Sequence, residues 1–277
     1  MDNFLVSIIT VVFNGKKYLE QAIQSVINQS YKNIEYIIID GGSTDGTIEI
    51  IKRYEGNIDH WISESDRGLY DAMNKGIALA NGEIIGILNS DDLYFQDTVL
   101  EVVKAYQNYQ HPCVIYGNML KFNDEQGKVS WHRGDLTAHA FKTARIAINH
   151  PTCFVQRSLY KKFGGFKPEY EVGADRELMM RFHSQGVTFI NTNKTLAKFR
   201  LGGTTSYQSL VSIFKREIIQ EYKLLNSYAI NEKIIALVLF KKVIQASRKW
   251  LLYKLLGEKL TNQIIMFYVS KKFTLPS

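Results

Sequence analysis

Short apolar stretches alternate with segments of helical periodicity over the first 120 residues, and this alternation restricts the fold. The apolar stretches are rich in Val and Ile, whereas the segments between them repeat apolar residues at helical spacing. The predicted strands are Leu5–Phe13, Ile34–Ile39, Ile58–Ser63, Ile84–Leu88 and Val114–Gly117, and the predicted helices are Tyr18–Asn28, Thr47–Tyr54, Leu69–Ala80 and Val99–Tyr109. Such alternation predicts an α/β fold, with a mostly parallel sheet covered by helices on both faces.

The pattern changes further along the chain. From about residue 121 to 206 it is less regular, although one clear helix, Arg176–Gln185, ends at Gly186. From about residue 207 the spacing is predominantly helical. A chain of 277 residues suits one large domain with an appendage. We predict an α/β domain over residues 1–206 and a helical C-terminal extension over residues 207–277.

Positive charge is concentrated in that extension. The chain has a net charge of +7. Residues 207–277 hold 12 Lys and Arg against 4 Asp and Glu, which gives +8, and the remainder is close to neutral. A basic tail on a neutral domain indicates an anionic partner, either lipid headgroups or nucleic acid.

The two cysteines, Cys113 and Cys153, lack CxxC spacing, which argues against both a disulfide framework and a cysteine zinc site. The first residues have neither the basic region nor the cleavage signal of a secretory peptide. We therefore expect a cytoplasmic protein.

Polar and acidic residues follow the predicted strands at the point where each ends. Asn14 follows the first strand, Asp40 the second, and the run 89–92 (Asn-Ser-Asp-Asp) the fourth. Open parallel sheets bind ligands at the carboxyl ends of their strands. Carboxylates gathered there repel each other, and a divalent cation with a diphosphate would offset that repulsion. Oxygen ligands suit Mg²⁺ or Mn²⁺.

Four ordered motifs in the first 205 residues carry a family resemblance. They are TVVFN at 10–14, IDGGSTDGT at 39–47, SESDRGLYDAMNKGIALANGEIIGILNSDD at 63–92 and GADRELMMR at 173–181. With these motifs the chain resembles glycosyltransferase family 2. The resemblance implies the GT-A (Rossmann-like) fold and an inverting sugar transfer, and it does not extend to the tail.

The resemblance also implies a set of nucleotide-contacting residues. Asp40 would accept the ring N–H of uracil, although Asp is also common as a turn residue before a pair of glycines. Arg67 would pair with phosphate oxygens, or else form a solvated surface pair with Asp66. Arg200 would clamp the diphosphate, although a surface arginine is the commoner case. The full predicted set is Thr10, Phe13, Asn14, Asp40, Asp66, Arg67, Ser90 and Arg200.

Asp91 and Asp92 match the metal-binding region of the family. A metal held there would neutralise the diphosphate as it departs. The usual first acidic position is Asn89 in this chain, which favours Asp91 as the ligand. Asp92 is either a second ligand or a turn residue. The expected cofactor is Mn²⁺ or Mg²⁺.

Asp175 matches the acidic position of the family's catalytic base. An inverting transfer needs one carboxylate to take the proton of the attacking hydroxyl. The alternative is that Asp175 caps the helix 176–185, and the two roles are compatible. Glu177 is the second candidate base, disfavoured because it would lie inside the helix.

The tail lacks the length of apolar sequence that a transmembrane helix needs. Its longest purely apolar run is Ile234–Phe240, whereas a span requires about 20 residues. Apolar residues that alternate with Lys and Arg fit a helix lying on an anionic membrane. The alternatives are a helix packed on the catalytic domain and a homodimer interface. We expect peripheral association with the inner face of the plasma membrane.

Together these features predict an inverting transferase. It would move a hexose or N-acetylhexosamine from a nucleotide diphosphate sugar, most simply a UDP-sugar, to a lipid-linked saccharide in bacterial surface-polysaccharide synthesis. A sugar nucleotidyltransferase is less favoured, because it needs a Gly-rich phosphate loop where this chain has FNGKKYL at 13–19. A nucleic-acid-binding or membrane-binding protein without activity leaves the acidic strand ends unexplained, and we expect no nucleic-acid partner.

Overall fold

The computed structural model describes residues 4–109, 111–124, 129–142, 146–170, 173–201, 222–228 and 230–241, together with residues 244, 247, 251 and 255. The strands are β1 (Val6–Val12), β2 (Ile34–Asp40), β3 (His60–Ser63), β4 (Ile84–Asn89), β5 (Leu93–Tyr94), β6 (Cys113–Phe122), β7 (Val129–His132), β8 (Phe154–Gln156) and β9 (Thr188–Arg200). The helices are α1 (Leu19–Ile27), α2 (Thr47–Arg53), α3 (Leu69–Leu79), α4 (Thr98–Gln107), α5 (Ala138–Lys142), α6 (Arg157–Phe163) and α7 (Ala174–Ser184). Short 3₁₀ turns lie at Glu55–Asn57 and His150–Thr152, and the tail contributes α8 (222–227) and α9 (232–241).

These strands form one sheet in the order β3-β2-β1-β4-β8-β6-β9-β5, with β7 paired to β6. The first four are parallel, as predicted. Beyond β4 the sheet is mixed, because β8 runs antiparallel to both β4 and β6 whereas β9 runs parallel to β6. The α/β architecture is confirmed, and its parallel part is the half in which the sequence alternation was regular.

Helices cover both faces of the sheet. On one face α1, α2 and α4 pack against side chains such as Ile8, Ile38 and Leu88. On the other face α3, α6 and α7 pack against Ile9 and Ile37. Successive side chains of a strand point to opposite faces. The continuous apolar runs of β1, β2 and β4 therefore bury both of their faces.

The parallel register brings three strand ends to one edge of the sheet. Val12 of β1 lies beside Asp40 of β2, and Val11 lies beside Asn89 of β4. The segments that leave these strands therefore start next to one another. This arrangement assembles polar residues that are far apart in the sequence.

The first part of the tail packs on the α/β domain. Leu224 and Leu225 of α8 and Ile235 of α9 are buried in the same core as α7. The Tyr228 hydroxyl donates a hydrogen bond to Glu177 Oε1 at 2.9 Å. For these residues the packing alternative is the observed arrangement. The boundary predicted at residue 206 remains a prediction, because residues 202–221 lie outside the described part.

None of the described helices combines the length and the apolar character needed to cross a membrane.

Candidate active site

Asp40 is completely buried and organises the turn that follows β2. Its Oδ2 accepts hydrogen bonds from the backbone N–H groups of Gly42 and Ser43 at 3.2 and 3.0 Å, and from the Ser63 hydroxyl at 2.6 Å. The Ser43 hydroxyl donates to Oδ1. These bonds match the turn-forming alternative for Asp40, and its contact with a nucleobase stays a prediction.

The loop after β1 is fastened to the same turn. The Asn14 N–H donates to Ser43 Oγ at 2.7 Å, and Asn14 Oδ1 accepts the N–H of Thr44 at 2.9 Å. Asn14 has a φ of 50°, a conformation that Asn adopts more readily than most residues. These bonds leave the Phe13 ring 59% exposed at the sheet edge.

Thr10, another residue predicted to contact the nucleotide, lies inside the sheet. It is fully buried in the middle of β1, and its hydroxyl lies 3.1 Å from the Tyr36 hydroxyl. Thr10 therefore lies beneath the site and does not reach its surface. Ser90, which follows β4, is partly exposed and has its Oγ close to Gly15.

Asp66 occupies space that only a glycine at position 41 leaves open. A Cβ added to Gly41 would lie 2.5 Å from Asp66 Oδ2 and 3.4 Å from the Phe13 ring. The other oxygen of Asp66 accepts the Gly68 N–H at 2.8 Å. Oδ2 of Asp66 is therefore placed beside the exposed Phe13 ring, with the hydrogen bond to Gly68 fixing its position.

Arg67, which lies just before α3, has a carboxylate partner in the first turn of that helix. Its guanidinium pairs with Asp71 at 2.9 Å while its side chain stays 79% exposed. The hydrogen bond to Asp71 and its charge raise the pKa of Arg67. The surface-pair alternative predicted Asp66 as the partner of Arg67, whereas the structure shows Asp71. The exposed arginine remains able to turn toward a ligand.

Asp91 and Asp92 face different environments at the end of β4. Asp92 is fully buried, with Oδ1 accepting the Arg200 N–H at 3.0 Å and Oδ2 accepting the Asn89 side-chain N–H at 3.4 Å. Burial and the charge of Asp91 raise the pKa of Asp92 well above its usual range. Asp91 is partly exposed, and burial raises its pKa. Asp92 is bonded as a turn residue and its role as a metal ligand stays a prediction, whereas Asp91 is the more accessible of the two carboxylates.

The oxygens at this turn fit a hard divalent cation. Within the described residues, no three His, Cys, Asp or Glu side chains come together as a complete metal site. The Asn89 Oδ1, however, is buried without a hydrogen-bond partner among the described residues. It is an amide oxygen two residues from the Asp91 carboxylate. One carboxylate and one amide oxygen suit Mg²⁺ or Mn²⁺, which take their remaining ligands from water and phosphate.

Arg200 is only 3% exposed, and its polar atoms are occupied by protein partners. Its backbone N–H holds Asp92, its Nε donates to the backbone oxygen of Asp91 at 3.0 Å, and a terminal nitrogen pairs with Asp124. The arginine therefore fixes the acidic turn in position, and its positive charge opposes the repulsion between the two carboxylates.

Two aromatic rings complete the enclosure of Arg200. The guanidinium carbon lies 4.1 Å from the centre of the Tyr18 ring and 4.5 Å from that of Phe122. The second terminal nitrogen donates to Gln21 Oε1 at 2.8 Å. The side chain is stacked and hydrogen-bonded inside the protein, so Arg200 is not a surface arginine, and its contact with a diphosphate stays a prediction.

Asp175 lies in the first turn of α7 without being its cap. The helix begins at Ala174, and the N-cap is Gly173, which has a φ of 82°. The Tyr70 hydroxyl accepts the Gly173 N–H at 3.2 Å and so serves the helix start from α3. Asp175 is therefore not the N-cap residue, although its Oδ1 accepts the Arg176 N–H of the first turn at 2.8 Å.

Asp175 lies close enough to buried side chains to affect their pKa values. Burial and the charge of Asp175 raise the pKa of Cys153. Burial lowers the pKa of the nearby His150, and the charge of Asp175 opposes that shift.

Glu177 points into the core. It is fully buried and binds Lys167 at 2.8 Å, Arg181 at 2.9 Å and the Tyr228 hydroxyl at 2.9 Å. Its pKa is lowered, because hydrogen bonds from these partners outweigh the effect of burial. Glu177 is a structural anion, and Asp175 remains the candidate base.

Sequence reasoning missed Gly41 and Tyr70. No sequence motif indicates the role of either residue, because each contacts a residue that is distant in sequence. The glycine pair before Ser43 indicated that another part of the chain approaches the backbone closely there. The structure shows that Asp66 is the residue that approaches Gly41.

Relatives with similar sequences are glycosyltransferases. The sequence profile of glycosyl transferase family 2 matches residues 7–164. An uncharacterized glycosyltransferase of Mycobacterium tuberculosis is 31% identical over 182 residues, which are 64% of this chain and 68% of that protein. A PGL/p-HBAD biosynthesis glycosyltransferase of Mycobacterium bovis is 30% identical over 183 residues, which are 64% of this chain and 69% of that protein.

Two solved structures share the fold. TarS of S. aureus, in complex with UDP-GlcNAc, matches with a TM-score of 0.63 and 18% identity, over 84% of this chain and 70% of TarS. The mannosyltransferase PcManGT of Pyrobaculum calidifontis, in complex with GDP-Man and Mn²⁺, matches with a TM-score of 0.65 and 15% identity, over 96% of this chain and 79% of that one. The expected GT-A fold is confirmed.

Replacing Arg200 by Met should lower the free energy of unfolding by on the order of 2 kcal/mol, since it removes a buried partner from several groups. The value lies below that for a fully buried ion pair because Asp124 is 46% exposed. Urea titration measures the change, and Lys198→Met on the same strand is the control. A stable Arg200→Met protein that has lost only nucleotide affinity would support the clamp role.

Proposed function

The chain belongs to glycosyl transferase family 2, and we propose that it transfers a hexose or N-acetylhexosamine from a UDP-sugar to an acceptor hydroxyl with inversion. The observation that carries the proposal is the arrangement at the sheet edge. Phe13 and Asp66 lie together at the sheet edge where β1, β2 and β4 end, and β4 leads there into Asn89, with its unpartnered oxygen among the described residues, and Asp91. Asp175 lies in the first turn of α7, near His150 and Cys153.

The nucleobase would lie against Phe13. An exposed aromatic ring offers stacking, and the carboxylate of Asp66 beside it can accept the imide N–H of uracil. Guanine and cytosine present different edges at the corresponding position. The complex of TarS with UDP-GlcNAc supports a uridine donor, whereas that of PcManGT with GDP-Man supports the wider class of nucleotide diphosphate sugars.

The diphosphate would lie beside Asp91. A divalent cation bound there would neutralise the charge of the leaving diphosphate. Asp91 and Asn89 would be its protein ligands, with water and phosphate oxygens as the others. The Mn²⁺ in the PcManGT complex supports this choice of cofactor.

Asp175 would act on the acceptor. In an inverting transfer the acceptor oxygen attacks the anomeric carbon from the side opposite the diphosphate, and a carboxylate takes its proton. Asp175 is a first-turn residue whose helix start is held by Tyr70. Its Oδ1 accepts the Arg176 N–H at 2.8 Å, which holds the carboxylate that would take the proton.

The donor is identified by a panel of nucleotide sugars, with release of the nucleoside diphosphate as the readout. The panel is run with Mn²⁺, with Mg²⁺ and with a chelator, with a lipid-linked saccharide as acceptor. We expect release from UDP-hexoses or UDP-N-acetylhexosamines, dependent on the metal. Release of pyrophosphate from a nucleoside triphosphate and a sugar phosphate would instead support a nucleotidyltransferase.

Replacing Asp91 by Asn should abolish turnover while the protein stays folded, because the carboxylate is the charged ligand at this turn. Isothermal titration of Mn²⁺ in the presence of UDP should show the metal affinity lost as well. Asp97→Asn, an exposed acid at the start of α4, is the matched control. Full activity of Asp91→Asn, or of wild-type enzyme in chelator, would contradict metal assistance.

Replacing Asp66 by Asn should weaken UDP binding by about 1.5–3 kcal/mol, the value of one hydrogen bond to a charged group. The amide keeps the size of the side chain and an oxygen for the Gly68 N–H. Glu64→Gln changes a neighbouring exposed carboxylate and should have no effect. Equal UDP affinity of Asp66→Asn and wild type would show that another group reads the base.

Replacing Asp175 by Asn should reduce kcat by roughly 10² to 10⁴, the usual contribution of a general base. Donor affinity should be unchanged, because the residue acts on the acceptor. Loss of one charge from the first turn should lower stability by less than about 1 kcal/mol. A near-normal kcat with saturating acceptor would remove Asp175 from the mechanism.

We also propose that the tail holds the enzyme on an anionic membrane at the cytoplasmic face. Five apolar residues of the tail are spaced so that a helix places them on one narrow face. That face is opposite Ile235, which packs on the domain, and most of the five side chains are exposed. They are Leu237, Phe240, Ile244, Leu251 and Leu255. The +8 charge of residues 207–277 complements anionic headgroups, each basic residue contributing about 1 kcal/mol near the surface. A lipid-linked acceptor would be reached from that surface.

Replacing Phe240, Leu251 and Leu255 together by Ser should release the protein from anionic vesicles in a sedimentation assay. Vesicles of zwitterionic lipid should bind neither form. Tyr109→Ser, another exposed aromatic residue, is the control. If wild type never sediments with anionic vesicles, light scattering then distinguishes a homodimer interface from a solvated helix.

A further inference from the structure

A lysine on β6 is largely covered without a carboxylate partner in the described part of the chain. Lys121 lies with its ammonium group 5.6 Å from the centre of the Phe199 ring. Burial lowers the pKa of its ammonium group, with no opposing contribution from an acidic residue. Buried charges are normally paired, because desolvation is unfavourable. A covered lysine without a carboxylate partner among the described residues is therefore a candidate to bind an anion.

A second unpartnered polar group faces Lys121. Ser130 of β7 lies directly opposite Lys121 in the antiparallel ladder, so their side chains share one face of the sheet. Ser130 is only 3% exposed, and its Oγ has no hydrogen-bond partner among the described residues. Buried hydroxyls are normally hydrogen-bonded. Its hydroxyl is thus a donor placed beside the ammonium group.

His132 adds a ring to the same face. It lies two residues after Ser130 on β7, and side chains two apart in a strand point the same way. Burial and the charge of Lys121 lower the pKa of His132 to about 4. The imidazole is therefore neutral near pH 7, and Lys121 supplies the positive charge of the group.

This cluster lies next to the candidate active site. Phe199, the neighbour of Lys121 in β9, directly precedes Arg200. Adjacent residues of a strand point to opposite faces, so Lys121 and Arg200 serve different faces of the sheet. Arg200 holds the acidic turn on its face. On the opposite face, the ammonium group of Lys121 and the hydroxyl of Ser130 can bind another group.

We propose that Lys121, Ser130 and His132 form a binding site for a phosphate group, separate from the Asp91 turn. An ammonium group and a hydroxyl are the donors that a phosphate accepts. Two substrates would bring such a group: the nucleotide donor and an acceptor that carries a phosphate. The site itself does not depend on the proposed function, because inorganic phosphate alone tests it.

Isothermal titration of inorganic phosphate into metal-free protein is the first measurement. Lys121→Met keeps the apolar stem against Phe199 and removes the charge, and should weaken binding roughly 10- to 100-fold. Ser130→Ala should weaken it less. Lys194→Met, which removes an exposed lysine of β9, is the matched control and should bind as wild type does. Equal affinity of Lys121→Met and wild type, or no binding by wild type, overturns the site.

Thermal melting without phosphate separates a binding role from a structural one. Lys121→Met should melt at the same or a higher temperature than wild type, because an unpaired covered charge is removed. A lower melting temperature means that Lys121 supports the fold, and overturns the site. Titration of UDP with Mg²⁺ then assigns the source. UDP affinity lost in parallel with phosphate affinity identifies the donor diphosphate, and unchanged UDP affinity identifies the acceptor.

Discussion

The acidic turn after β4 depends on Arg200. Two adjacent carboxylates at a sheet edge repel each other. From the sequence we expected a metal ion and a diphosphate to offset that repulsion. In the structure the guanidinium is stacked between Tyr18 and Phe122 and is bonded to the turn through the Asp91 carbonyl. The turn is therefore held in its shape before any ligand binds, which is the condition for a preorganised site.

The regular alternation of the first 120 residues predicted the parallel half of the fold, because β1, β2 and β4 are buried on both faces there. The second half was not predictable in the same way. Strand β9 reads TFINTNKTLAKFR, with polar residues interspersed because parts of it are exposed. Half-exposed strands in a mixed sheet lack the continuous apolar run that identifies β1 or β4.

The candidate site likewise has residues that the sequence indicated correctly as accessible and residues whose burial it could not show. Strand ends and motifs indicated Phe13, Asp66 and Asp91, since these residues lie at the edge that the parallel register creates, and a motif indicated Asp175 in the first turn of α7. The same information could not show that Thr10, Asp40 and Arg200 are covered. Their burial depends on partners such as Tyr36, Ser63 and Asp124, which are distant in sequence. A motif identifies a position in the fold, and only three-dimensional contacts decide whether its side chain is accessible.

The composition of the acidic turn bears on the order in which ligands bind. Of its two acids, Asp92 is bonded to the Arg200 backbone and Asn89, so Asp91 is the carboxylate more accessible to a cation. Mg²⁺ and Mn²⁺ bound by one carboxylate and one amide oxygen require several further oxygen ligands. The nearby positive charge of Arg200 also repels the metal ion, which disfavours binding of the metal without the nucleotide. A nucleoside diphosphate brings both the missing oxygens and the negative charge, so metal and donor are expected to bind together, each increasing the affinity of the other.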